Sequence, residues 1–93
     1  MEAQGILLSD DGVLRVMRWE FEPGAETGVH THMFDYVVVP VTGGTFRALV
    51  DGQESDYVQV AGESYSRNRG VTHNVTNVGD AFASFVEIEV LTT

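Results

Sequence analysis

The chain has 93 residues, and its 14 Asp and Glu residues against 5 Lys and Arg give a formal net charge of −9 at pH 7. A chain of this length fits one domain, residues 1–93, and buries only about 60 to 65 % of the surface that its unfolded form exposes, so a partner subunit would add stability. The negative charge argues against nucleic acid and anionic membranes as partners, and the absence of cysteine excludes disulfides, cysteine-based zinc sites and thiol catalysis.

The N-terminal segment, residues 1–12, lacks the features of a targeting signal. It contains no basic residue, and its apolar run covers only Ile6 to Leu8. No run in the chain approaches the roughly 18 apolar residues that a membrane helix needs. We therefore predict a cytoplasmic protein.

Turn signals recur about every ten residues along the chain. They are Asp10-Asp11-Gly12, Pro23-Gly24, Gly43-Gly44, Asp51-Gly52, Ala61-Gly62 and Gly79-Asp80. Between them lie roughly eight short segments with strand-like alternation, and no segment has a convincing helical period. This pattern predicts an all-β protein, an antiparallel sandwich or barrel.

The segment from Asp35 to Val41 is apolar on both strand faces. One face carries Val37, Val39 and Val41, and the other carries Tyr36, Val38 and Pro40. A strand of this kind must be covered on both sides. We expect one face to line a lumen and the other to meet a second sheet or a second subunit, as in a homodimer.

Two of the three histidines, His30 and His32, are one residue apart just before that segment. In an extended chain residues two apart share a face, so both imidazoles can point at one ion. The remaining histidine, His73, lies in the later stretch VTHNVTNV, on the same strand face as Val71 and Val75. The pair alone predicts half of a metal site.

The spacing in these two stretches resembles that of the cupin superfamily. The first family motif is Gly, five residues, His-x-His, three or four residues, Glu, six residues, Gly, and it is matched by Gly24, His30, His32 and Gly43. The second is Gly, five residues, Pro-x-Gly, two residues, His, three residues, Asn, and it is matched by Gly62, Gly70, His73 and Asn77, with Asn68 in place of the proline.

The resemblance implies a double-stranded β-helix, or jelly-roll barrel, with one divalent metal in its lumen. The implied ligands are His30, His32 and His73. Tyr36 occupies the position of the motif's glutamate, which implies a three-histidine site. Neutral imidazoles suit Fe, Zn, Ni, Mn or Cu ions, so the identity of the metal is open.

Three-histidine cupins include Fe(II) dioxygenases that act on small thiols and β-dicarbonyl compounds. The resemblance thus implies a metal-dependent oxygenase acting on a small organic acid, thiol or dicarbonyl. The stretch HTHMFDYVVVP is also similar to that of small bacterial cupins associated with β-alanine degradation. The alternative is a non-catalytic module that binds a metal or a small ligand, as in sensory cupins.

Other side chains have a functional and a structural interpretation. Tyr36 shares the face of the histidines, so its hydroxyl either orients a bound water or substrate or bonds to a backbone carbonyl. Asp35 is one residue out of register for a ligand and is expected to point away. Arg67 and Arg69 either bind a substrate carboxylate or pair with surface acids.

Carboxylates and amides near the C-terminus are assigned structural roles. Glu87 and Glu89 alternate with valine and isoleucine, so we expect them on the exposed side of a strand. Asn77 is interpreted as a residue that stabilises a strand end or turn.

Overall fold

A computed structural model describes residues 1–92 of the chain. This part forms nine strands, β1 (Gln4–Asp10), β2 (Leu14–Phe21), β3 (His30–Thr31), β4 (Tyr36–Pro40), β5 (Gly44–Val50), β6 (Gln53–Gln59), β7 (Tyr65–Arg67), β8 (Thr72–Asn77) and β9 (Ala83–Val90). The described residues include no helix that could span a membrane. The all-β prediction is confirmed, with one strand more than expected because the histidine pair begins a short strand of its own.

The strands form two antiparallel sheets. The five-stranded sheet has the order β1-β2-β9-β4-β7, and the four-stranded sheet has the order β3-β8-β5-β6. Neighbours such as β4 and β9 are far apart in sequence, because the chain crosses repeatedly from one sheet to the other through short connections. This arrangement is the jelly-roll barrel implied by the resemblance.

An aromatic cluster closes one end of the barrel. The ring of Phe21 lies 5.2 Å from that of Phe46 and 5.3 Å from that of Phe85, and the rings of Phe46 and Phe85 are 5.7 Å apart. Phe21 and Phe46 are fully buried. Burying aromatic side chains from both sheets is the main apolar stabilisation of so small a core.

The turn between β5 and β6 shows how local chemistry sets strand register. Asp51 and Gly52 have φ values of 51° and 76°. A two-residue turn with positive φ at both positions matches the right-handed twist of its strands, and Asp-Gly is a favoured pair for it. Because the turn has two residues, Val50 is paired with Gln53 and the whole hairpin is in register.

The five-stranded sheet presents its two faces differently. On β4 Tyr36, Val38 and Pro40 are buried and face the lumen, whereas Val37 and Val39 are only half-buried on the outer face. Pairing places Val37 opposite Ile88 and Val39 opposite Val86, so a row of apolar side chains runs along the outside. The predicted division of this segment into a lumen face and an outer face is confirmed.

The same register overturns the prediction for the acidic pair on β9. Tyr36 is paired with Glu89 and Val38 with Glu87, so both carboxylates lie on the lumen face. The phase of β9 is set by Ala83 and Phe85, which pack into the aromatic end of the barrel. The valines and isoleucine of β9 therefore face outward, and the expectation that Glu87 and Glu89 are exposed was wrong.

Candidate metal centre

Two adjacent strands bring the three histidines together. His30 on β3 is paired directly with His73 on β8. His32 is the first residue after β3. Its N–H donates to the Val71 carbonyl at 2.9 Å, and its carbonyl accepts from Gly70 N–H at 2.8 Å. The three Nε2 atoms are 3.1 Å (His30 to His32), 3.0 Å (His32 to His73) and 3.1 Å (His30 to His73) apart.

The Nδ1 atoms of His30 and His32 face oxygen atoms. Nδ1 of His30 lies 2.9 Å from the Gly28 carbonyl oxygen, which only accepts hydrogen bonds. This contact places the proton on Nδ1 and leaves Nε2 unprotonated, with its lone pair available to a metal ion. Nδ1 of His32 lies 3.9 Å from Oε1 of Glu87, another acceptor.

The donor set fits a divalent transition metal. Lone pairs that converge at about 3 Å repel one another unless a cation or proton lies between them. Nitrogens bound to a common ion at about 2.0–2.1 Å lie roughly 3 to 3.4 Å apart, which is the spacing of these Nε2 atoms. The three histidines are therefore positioned to bind one metal ion.

Burial keeps two of the imidazoles neutral. Burial, followed by the neighbouring His73 and His30, lowers the pKa of His32 to about 4. Burial together with His30 lowers the pKa of His73 to about 4. At neutral pH both rings are thus in the unprotonated form that ligates metals.

A cavity of about 340 Å³ opens beside His30 and His73. Its wall is mainly aromatic and aliphatic, and it includes all three tyrosines of the chain, Tyr36, Tyr57 and Tyr65. Trp19 and Val38 also line it, whereas Phe46 is buried in the core. An apolar cavity with a few polar groups is typical of a small-molecule site.

Tyr36 lies against the metal-ligand cluster. Its ring stacks on that of His32, with centroids 3.9 Å apart and planes 17° apart. Burial, and then the nearby Glu87 and Tyr65, raise the pKa of Tyr36 to about 12, so its hydroxyl stays protonated. The expected shared face is confirmed, and Tyr36 is 4 % exposed.

Glu87 is the site residue that the sequence interpretation missed. It lines the cavity, is 9 % exposed and makes no hydrogen bond to any described residue. Burial, with a smaller contribution from Glu89, raises the pKa of Glu87 to about 7. One signal in the sequence could have found it. Phe85 is the largest apolar residue of β9 and is the one most expected to face inward, and Glu87, two residues later, lies on the same strand face.

The arginines separate into two groups. Arg47 forms a surface ion pair, with Nε 2.7 Å from Oδ1 of Asp56. Arg67 instead lines the cavity, where its guanidinium lies 4.5 Å from the centre of the Tyr65 ring. Within residues 1–92 no carboxylate lies within ion-pairing distance of Arg67.

Asp35 and Asn77 are structural, as their sequence positions indicated. Asp35 points away from the histidines and accepts a hydrogen bond from the backbone N–H of Arg69 at 2.8 Å. Asn77 is 1 % exposed, and its amide donates to the carbonyls of Phe21 and Ala81 and accepts from Gly79 N–H. Neither residue lines the cavity.

This barrel, with a histidine cluster beside its lumen, is the architecture of a cupin. The family model described as Cupin domain matches residues 17–89. Because the match covers most of the chain, the chain belongs to the cupin family, and the resemblance inferred from the two motifs is confirmed.

One bacterial protein and one crystal structure are similar to nearly the whole chain. The chain is 47 % identical over 83 residues to the β-alanine degradation protein BauB of Pseudomonas aeruginosa, a match that covers 87 % of this chain and 85 % of that protein. A crystal structure of a cupin domain from Bordetella pertussis Tohama I has a TM-score of 0.93 and 40 % identity, covering 96 % of this chain and 93 % of the other.

A more distant structure supports the fold alone. A protein with a double-stranded β-helix domain from Klebsiella pneumoniae has a TM-score of 0.79 and 20 % identity, covering 96 % of this chain and 76 % of its own. At that identity the likeness concerns the path of the backbone and carries no information on ligands.

Proposed function

We propose that the chain binds one divalent transition metal through His30, His32 and His73 and is a metal-dependent enzyme of the Fe(II) oxygenase type. The substrate would be a small organic acid, thiol or dicarbonyl. The observation that carries the proposal is the convergence of three Nε2 atoms to 3.0–3.1 Å beside the cavity.

A three-ligand site supports catalysis more than a purely structural role. Structural metal sites are usually closed by four protein ligands, whereas catalytic sites keep positions open. Iron(II) would supply the redox chemistry that dioxygen requires. Among the described residues, the metal-ligating side chains that cluster here are the three histidines, with no carboxylate among them.

The chain's own side chains would position the substrate. Arg67 lines the cavity without a carboxylate partner. Its Nη1 donates to the Ser66 carbonyl at 2.8 Å, and its remaining N–H groups would bind a substrate acid. The protonated hydroxyl of Tyr36 makes no hydrogen bond to the described residues and would donate one to substrate or to an ordered water. Apolar walls such as Val38 and Val71 limit the access of bulk water.

The name of the Pseudomonas relative supports a small substrate. That protein is described as acting in β-alanine degradation, and β-alanine and its breakdown products are small acids of a size that a cavity of about 340 Å³ accommodates. The net charge of −9 likewise favours a small molecule over a nucleic acid as the ligand.

A binding module without catalysis is the second candidate, and the preformed cavity wall favours it. Gln59 donates to the Tyr65 hydroxyl at 2.9 Å, and the Tyr65 ring in turn holds Arg67. These contacts arrange a ligand site that is independent of the metal. Such a module would bind a small acid and act through a partner protein.

Oxygen consumption separates the two candidates. Protein loaded anaerobically with Fe(II) would be exposed to dioxygen with a panel of small thiols, β-diketones and short amino and keto acids. The proposal predicts oxygen uptake with at least one compound and none with the His73→Ala variant. If no compound supports oxygen uptake while one raises the melting temperature strongly, the binding module is correct instead.

A further inference from the structure

Two charged side chains of opposite sign line the cavity, and neither forms a hydrogen bond with a described side chain of opposite charge. Arg67 and Glu87 are the only Lys, Arg, Asp or Glu side chains in its described lining. Of the five arginines, Arg15, Arg18 and Arg47 form ion pairs with carboxylates, whereas Arg67 and Arg69 form none with a described residue. Arg67 is held over the Tyr65 ring, and its Nη1 donates to the Ser66 carbonyl at 2.8 Å, so the guanidinium has a fixed position at the cavity wall.

Glu87 is in the complementary situation. Its side chain is 12 % exposed and accepts no hydrogen bond from the described residues, and the nearest ring nitrogen, Nδ1 of His32, is 3.9 Å away. Leaving a buried carboxyl group without a donor is unfavourable. A ligand that brings a donor group into the cavity would remove this cost.

The register of the sheet separates the two charges by one strand. Arg67 on β7 is paired with Tyr36 of β4, and Glu87 on β9 is paired with Val38 of β4. Strands β7 and β9 are therefore about 10 Å apart, with β4 between them. The two side chains lie on the same wall of the cavity, on either side of β4, and form no ion pair with each other, which leaves room for a small molecule between them.

We propose that this cavity selects small zwitterionic amino acids, with Arg67 binding the carboxylate and Glu87 binding the ammonium group. The proposal rests on the proposed function insofar as both place the ligand in the same cavity, and it narrows the substrate class from small acids to amino acids. It assigns Glu87 a role in specificity. A simple carboxylic acid would satisfy Arg67 and leave Glu87 unpaired.

Calorimetric titration of the full chain tests the proposal, with both metal-free and Zn(II)-loaded protein. The probes are glycine, β-alanine and 4-aminobutanoate, each compared with acetate, propanoate or butanoate of the same length. A charge-assisted hydrogen bond contributes about 10- to 100-fold in affinity, so at least one amino acid should bind at least about tenfold more tightly than its matched acid. Equal affinities, or no amino acid binding in either form, would overturn the proposal.

Two variants assign the charges separately. Glu87→Gln keeps the shape of the side chain and should abolish the preference for the amino acid while leaving the affinity for the simple acid unchanged. Arg67→Gln should weaken both ligands alike. Glu63→Gln and Arg69→Gln are matched controls, since both residues are exposed and neither lines the cavity, and both should behave as wild type.

Persistence of the preference in Glu87→Gln would refute the assignment. Failure of the proposed metal binding and failure of the proposed amino acid preference are also distinguishable. If the protein takes up no metal, the amino acid preference can still be measured in the metal-free form, and if the preference is absent, metal uptake is unaffected.

Discussion

At the scale of single residues, His32 connects the three-histidine cluster to the rest of the candidate site. Its Nε2 lies about 3 Å from those of His30 and His73, its ring stacks on Tyr36, and its Nδ1 faces Glu87. Contacts on the far side of a ligand ring orient it and tune its basicity. A change at Tyr36 or Glu87 would therefore also affect how His32 meets an ion.

Removing single imidazoles tests the ligand set at this scale. We expect His30→Ala and His73→Ala to weaken metal binding by more than about 100-fold, since contacts outside the ligand set alone contribute about 10- to 100-fold. Asp35→Asn is the matched control: its carboxylate bonds to Arg69 N–H, so metal content should stay at one ion per chain. Elemental analysis of protein purified without chelator and reloaded with Fe(II) or Zn(II) provides the measurement, and full metal content in either alanine variant would contradict the assignment.

At the scale of elements, β4 organises the site. It is paired with β7 on one side and with β9 on the other. On its lumen face Tyr36 is therefore the neighbour of Arg67, and Val38 is the neighbour of Glu87. The connection after β4 is tight. Gly43 has a φ of 75°, and a Cβ at this position would lie 2.9 Å from the Gln59 carbonyl oxygen.

Replacing glycines of similar φ separates conformation from crowding. Gly52 has a φ of 76°, but a Cβ there meets nothing within 4 Å. Gly52→Ala should therefore lower the free energy of unfolding by about 1 kcal/mol, the conformational cost alone. Gly43→Ala should lower it by about 2 kcal/mol or more, because the Gln59 backbone must also move. Urea denaturation measures both, and equal effects would show that the close approach to Gln59 has no energetic weight.

At the scale of the whole molecule, the barrel encloses a cavity with a few polar side chains and carries apolar side chains on the outer face of its five-stranded sheet. Val37, Val39, Val86 and Ile88 form that outer face at the centre of the sheet, and all four are only half-buried by the described chain. Beside these four residues, Arg18 of β2 is paired with Val86 and forms an ion pair with Glu20 at 3.4 Å. We propose that a second copy of the chain covers this outer face, as a homodimer.

Analytical ultracentrifugation at micromolar concentration tests this assembly. We expect a dimer that strengthens with added salt, because salt screens the repulsion between two strongly negative chains. Val39→Asp on the outer face should produce monomer. Val58→Asp, at a position that is 70 % exposed, is the control and should stay dimeric. A wild-type monomer at all salt concentrations would exclude the homodimer.

The sequence by itself determined the class of fold and the three histidines that are positioned to bind a metal ion. Alternation along the strands and Asp-Gly or Gly-Gly turns are local properties, so the strands and their connections were predictable, and so was the shared face of His30 and His32. The family spacing placed His73 and gave Tyr36 the glutamate position, both of which fit the geometry. These features depend on residues a few positions apart.

Only the tertiary structure decided which face of β9 points inward. Alternation shows that Glu87 and Val86 lie on opposite faces, but it does not say which face is the lumen. The usual rule that apolar residues face inward failed because the lumen is a binding cavity and the outside of the sheet is apolar. Packing of Phe85 against Phe21 and Phe46 sets the phase, and sheet register then brings Glu87 and Arg67 to opposite sides of β4.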